Sequence, residues 1–134
     1  MSTVLPVKTP DFLDALHSRV LIGDGAMGTQ LQGFDLDVET DFLGLEGCNE
    51  ILNDTRPDVV AQIHRAYFTA GADLVETNTF GCNLPNLADY NIADRCQELA
   101  YKGTRIARTV ADELGPGRDG MRRFVLGSMG PGTK

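Results

Sequence analysis

The stretch TRPDVVAQIHRAYFTAGADLVETNTF, residues 55–80, decides how the chain is to be read. Thr55 is a helix-capping residue type, and Pro57 suits a first turn, where a missing N–H costs nothing. Val59, Val60, Ile63, Tyr67 and Ala70 recur at the three- and four-residue steps that line one helix face. Gly71 can take the left-handed conformation that ends a helix. DLVETNTF then reads as a strand running out into small polar residues.

The same alternation extends in both directions. Downstream, NIADRCQELAYKGTRIARTVADEL (residues 91–114) places Ile92, Cys96, Leu99, Gly103, Ile106, Val110 and Leu114 on one face and charges on the other. GPGRDG (residues 115–120) is a turn cluster, and RRFVLGSMGPGTK (residues 122–134) is a strand entering a glycine-rich loop. Upstream, Thr9-Pro10-Asp11 signals a helix start with Thr9 as cap, and Phe12, Leu13, Leu16 and Val20 follow roughly helical spacing. A short strand is expected at Val20–Gly23. Residues 33–55 lack a clean period and are expected to form a long loop with helical fragments. Helices alternating with short strands imply an α/β fold around a parallel sheet with right-handed crossovers. Residues 1–8 are expected to be a flexible tail, and residues 9–134 to form the folded part.

Composition narrows the function. The chain has 134 residues and a formal net charge of −7, from 19 acidic and 12 basic residues. Only Arg122 and Arg123 are adjacent basic residues, so no patch for nucleic acid is expected. No apolar run approaches the ~20 residues of a membrane helix, and the first residues lack the pattern of a signal peptide. Cys48, Cys82 and Cys96 are odd in number and far apart, which suits reduced thiols in the cytoplasm better than a disulfide framework.

RVLIGDGAMGTQLQ (residues 19–32) contains the spacing of a dinucleotide-binding turn, Gly23-x-Gly25-x-x-Gly28. That reading needs a continuous helix after the third glycine and an acidic strand end about 20 residues on. Here Gly33 interrupts the helix after TQLQ, and the next strand begins only near Asp73. The dinucleotide reading fails on context. Gly25 and Gly28 are expected to permit positive φ and turn backbone amides toward a ligand. Asp24 stands at the carboxyl end of its strand, where open α/β sheets and barrels place their sites. The other strands end in Glu76-Thr77-Asn78-Thr79-Phe80-Gly81 and Gly127-Ser128-Met129-Gly130-Pro131. Three polar strand ends on one rim point to a site for a small polar molecule.

IGDGAMGTQL, GCNEILNDTRPDVVAQIHRAYFTAGADLVETNTFG and VLGSMGPGT together resemble the homocysteine S-methyltransferases. Within that family the likeness is to the N-terminal homocysteine-binding module of cobalamin-dependent methionine synthases. It runs from about Phe12 to Lys134. The resemblance implies a (β/α)8 TIM barrel that binds homocysteine at its carboxyl-end rim and activates the sulfur on zinc. It further implies methylcobalamin as methyl donor, held by further cobalamin- and folate-binding modules of the same enzyme, which serves methionine biosynthesis in the cytoplasm. On this resemblance Asp24, Gly25 and Ala26 hold the amino-acid end of homocysteine, and Glu76, Thr77 and Asn78 line the same rim.

The sequence departs from that family in one respect that matters. The family's zinc ligands are three cysteines, two of them adjacent in a late motif, and no adjacent pair occurs here. A barrel takes about 250 residues, so the chain is expected to supply three βα units of eight, without catalytic or metal-binding residues of its own. Cys96 is expected to pack in the core, Cys48 and Cys82 to lie in loops at the rim, and His64 at the surface or its boundary. Incomplete sheet edges are expected to favour self-association. Alternatives are a non-catalytic interaction module, a relative using another methyl donor, and an unrelated small-ligand α/β module.

Overall fold

The computed structural model describes residues 11–132. The expected tail and the Thr9-Pro10 start lie outside the described residues. Helix α1 (Phe12–Ser18) is capped by Asp11, whose carboxylate accepts from the Asp14 amide at 2.9 Å. Its apolar face differs from expectation. Ala15 is buried, while Leu13 and Leu16 are exposed. A helix this short packs along one edge only, and that edge puts Phe12 against Phe124, ring centroids 5.4 Å apart.

The expected strand at Val20–Gly23 is extended chain without a regular ladder. It leads into helix α2 (Met27–Leu31), after which residues 33–48 form turns. A 3-10 turn (Asn49–Ile51) and helix α3 (Leu52–Thr55) follow, so the expected loop does contain helical fragments. Helix α4 (Pro57–Ala70) carries Pro57 in its first turn and stops at Gly71, whose φ is 115°. Thr55 does not cap α4. Its hydroxyl donates to the Asp41 and Ile51 carbonyls, and Arg56 takes the capping position without a side-chain bond.

Strand β1 (Leu74–Glu76) is followed by helix α5 (Leu84–Asp89), which the sequence reading did not anticipate. Helix α6 (Cys96–Leu114) starts after a 3-10 turn at Ala93–Arg95, and strand β2 (Phe124–Leu126) comes last. The strands pair in parallel, Leu74 opposite Phe124 and Glu76 opposite Leu126. Among the described residues these are the two assigned strands, where three were expected. The extended segment nevertheless runs beside β1, because the Ile22 carbonyl accepts from the Asp73 and Leu74 amides at 2.7 and 3.3 Å. Side chains replace the other rungs: Asp73 Oδ2 takes the Ile22 N–H at 2.8 Å, and Asp24 Oδ1 takes the Glu76 N–H at 3.2 Å. That substitution is why no regular strand forms there.

Helices α4 and α6 cover one face of the sheet, burying Phe68, Val75, Ala107, Val110 and Ala111 together. The opposite face buries Ala15, Leu74 and Phe124. His64 contradicts the surface expectation: it is fully buried, and neither ring nitrogen has a hydrogen-bond partner in the protein. Burial pushes its imidazole down to about 4 from 6.5. The unfolded chain therefore binds a proton below 6.5 that the folded chain refuses until about pH 4. Stability is full above pH 6.5 and falls as pH drops through that window, by about 3 kcal/mol at 1.36 kcal/mol per unit. His64→Leu should flatten this dependence and stabilise the fold by about 1–3 kcal/mol at pH 5, because it removes unsatisfied buried nitrogens. Urea unfolding at pH 5 and pH 7.5 measures both effects; identical curves for the two proteins would refute the burial argument.

Candidate functional site

The extended segment, β1 and β2 all end on the same side of the sheet, and a cleft of about 340 Å³ opens between those ends. Asp24, Gly25, Ala26, Glu76, Thr77 and Asn78, the six residues nominated from sequence, all line it. Met27, Phe80 and Ser128 complete the wall. Ser128 and Phe80 stood in the polar strand ends that the sequence singled out, whereas Met27 carried no signal beyond its place after Ala26.

Two carboxylates give the cleft its charge. Burial pushes the Asp24 carboxyl up to about 6, opposed by the hydrogen bond from the Glu76 amide and reinforced by the Glu76 charge. At neutral pH Asp24 is still mostly ionised. Beside them the Gly25 and Ala26 amides bond to nothing else among the described residues. Carboxylates next to free amides match a zwitterion: an ammonium at the first and a carboxylate at the second.

The glycines of the opening loop act differently from expectation. Neither Gly25 nor Gly28 has positive φ. Gly25 is needed for space, because a Cβ there would lie 3.0 Å from the Tyr67 hydroxyl. That hydroxyl donates to the Ala26 carbonyl at 2.8 Å and ties the loop to α4. Asn78 faces two demands. Its side-chain amide donates to the Asn49 carbonyl and to Asn53 Oδ1, both at 3.0 Å, and Asn53 returns a bond to the Asn78 carbonyl at 2.8 Å. The Asn78 N–H donors thus fasten the rim to the 3-10 turn and to α3.

The cysteines do not reach the cleft. Cys48 is fully buried with Ile51, Leu87 and Leu99, and Cys82 and Cys96 pack against that group. The expectation for Cys96 holds; the rim placement of Cys48 and Cys82 is corrected. Apolar contact with α5, which the sequence did not reveal, draws both inward. Burial raises both thiols, Cys82 to about 12 with the Glu50 charge adding to the effect. Protonated thiols are poor metal ligands. Among the described residues no three or more His, Cys, Asp or Glu are grouped to hold a metal ion.

Fold and cleft define an α/β protein with an acidic cleft at the ends of its parallel strands. A sequence model of the family described as Homocysteine S-methyltransferase matches residues 21–134. The chain belongs to that family. It is 70% identical over 125 residues to the methionine synthase of Mycobacterium tuberculosis (strain ATCC 25618 / H37Rv) and 66% identical over 124 residues to that of Mycobacterium leprae (strain TN). Each match covers 92% of this chain and 10% of the relative, so the chain spans about a tenth of the length of these proteins. Two crystal structures of the homocysteine methyltransferase MmuM from Escherichia coli, in oxidized and metallated forms, share its fold. Both give a TM-score of 0.68 at 21% identity, covering 86% and 87% of this chain and 39% and 40% of theirs.

Proposed function

We propose that the chain is the opening portion, about three βα units, of the (β/α)8 homocysteine-binding module of a methionine synthase. Its own task in that enzyme is to hold the amino-acid end of homocysteine. The observation that carries this reading is the pairing of Asp24 and Glu76 with the free Gly25 and Ala26 amides in one cleft. The ammonium of homocysteine sits against the carboxylates, and its carboxylate against the amides, leaving the thiol directed away from the strand ends. Ser128 and Phe80 bound the cleft on the β2 side.

The zinc implied for the whole enzyme finds no matching donor set among the described residues. Thiol activation and methyl transfer belong to other parts of the enzyme, with its cobalamin- and folate-binding modules as partners. A second feature concerns assembly. Val20 is 83% exposed and Ile22 50% exposed on a segment paired along one edge only. Such an edge favours association with further polypeptide, including a second copy.

Titration calorimetry of the 134-residue chain with L-homocysteine tests the reading. Saturable heat is expected with L-homocysteine, and none with the amine that lacks the carboxylate. Equal binding of both, or of neither, would overturn it.

A further inference from the structure

The two sides of the cleft are joined where the β1–β2 ladder should continue. The Thr77 amide donates to the Leu126 carbonyl at 2.9 Å, a regular parallel rung. The next rung would run from the Ser128 amide to the Thr77 carbonyl. That carbonyl instead accepts from the Thr79 amide at 2.9 Å, a tight turn centred on Asn78. The Ser128 amide goes to the Thr77 hydroxyl at 3.0 Å.

Proton counting fixes the rest. A carbonyl cannot donate, so the Thr79 hydroxyl uses its hydrogen on the Ser128 carbonyl at 2.7 Å. The 2.6 Å contact between the two hydroxyls is therefore donated by Thr77. The result is a closed ring: Ser128 N–H to Thr77, Thr77 to Thr79, Thr79 to the Ser128 carbonyl. Both threonines are buried, and the Thr77 hydrogen is fully engaged. Beyond the ring, the Gly130 amide reaches the Phe80 carbonyl at 3.0 Å.

We propose that Thr77 and Thr79 are positioning residues: their hydroxyl ring replaces a backbone rung and sets the distance between the Glu76 and Ser128 sides of the cleft. Thr77 acts on the ligand through this ring and not by a hydrogen bond of its own. The proposal rests on the reading that homocysteine occupies the cleft.

The test compares Thr77→Val, Thr79→Val and the double variant, reading homocysteine affinity by calorimetry and Ser128 amide exchange by NMR. Each valine should weaken binding about five- to tenfold, the effect of one hydrogen bond, and speed exchange at Ser128. The double variant should bind no worse than the poorer single one, because one ring can be broken only once. Thr77→Ser and Thr79→Ser keep the hydroxyls and should bind as the unaltered chain does. Multiplying effects in the double variant, weakened binding in the serine variants, or unchanged affinity despite faster Ser128 exchange would each overturn the proposal. If the unaltered chain fails to bind homocysteine, the functional reading falls and this proposal, as a statement about binding, falls with it; slow, hydroxyl-dependent exchange at Ser128 would then show that the ring stands and that only the ligand was wrong.

Discussion

Asp73→Ala should cost about 3–5 kcal/mol of stability, the range for removing one partner of a buried ion pair. The Asp73 side chain is 2% exposed and meets Arg118 at 2.7 Å and Arg19 at 3.3 Å. Its second task is the Ile22 amide at 2.8 Å, which fastens the extended segment to β1. Arg19 depends on it entirely, since its Nε and Nη1 are buried without partners. Alanine would leave the Arg19 guanidinium and the Ile22 amide unpaired at once, while Arg118 would keep the Val20 carbonyl. Burial alone would raise the Asp73 carboxyl, but Arg118, the Ile22 amide and the Arg19 charge together hold it below its ordinary 3.8. A depressed carboxyl contributes stability above pH 3.8 that is lost as pH falls through its folded value. Asp73→Asn keeps an acceptor for Ile22 and should lose less than alanine. Urea unfolding at pH 7 decides the matter; a loss below about 1 kcal/mol would place Asp73 with ordinary surface pairs.

Asp24→Asn should weaken homocysteine binding about 10- to 100-fold, the value of a hydrogen bond to a charged group. The fold should survive, because the asparagine oxygen can still accept from the Glu76 amide. In the unaltered chain, binding should weaken as pH falls through about 6, where the Asp24 carboxylate takes up its proton. The asparagine variant should lack that inflection. Calorimetry from pH 5 to pH 8 measures both, and a persisting inflection near 6 would assign it to another group. The stability effect runs in the opposite sense to that of His64. Asp24 binds its proton more readily folded than unfolded, so ionisation between about pH 4 and 6 costs stability, whereas deprotonation of His64 restores it. Asp24 is only partly buried whereas His64 is fully buried, so the His64 contribution dominates the net slope.

Much of the fold was legible because its signals are local. Pro57 and Gly71 bracket α4 as read, and the step of three and four residues located the body of α6. The six rim residues share a cleft because strand ends in a parallel sheet come together on one side. Helix α5 was missed because LPNLAD is too short to display a period. The strand at Val20–Gly23 was misjudged because its rungs come from Asp73 and Asp24 side chains.

What the sequence determined by itself is the alternation of helices and strands, the stops between them, the polar character of the strand ends and the family. All of these reside in neighbouring residues. What only the tertiary structure decided is which atoms are free to act. The bonds that settle it join residues about fifty positions apart: Asp73 to Ile22, Asp24 to Glu76, Thr77 to Ser128. Burial of His64, withdrawal of Cys48 and Cys82, and engagement of the Asn78 and Thr77 donors follow from such contacts. A local pattern states what a side chain can do, and the partner brought to it by folding determines whether that capacity is already satisfied.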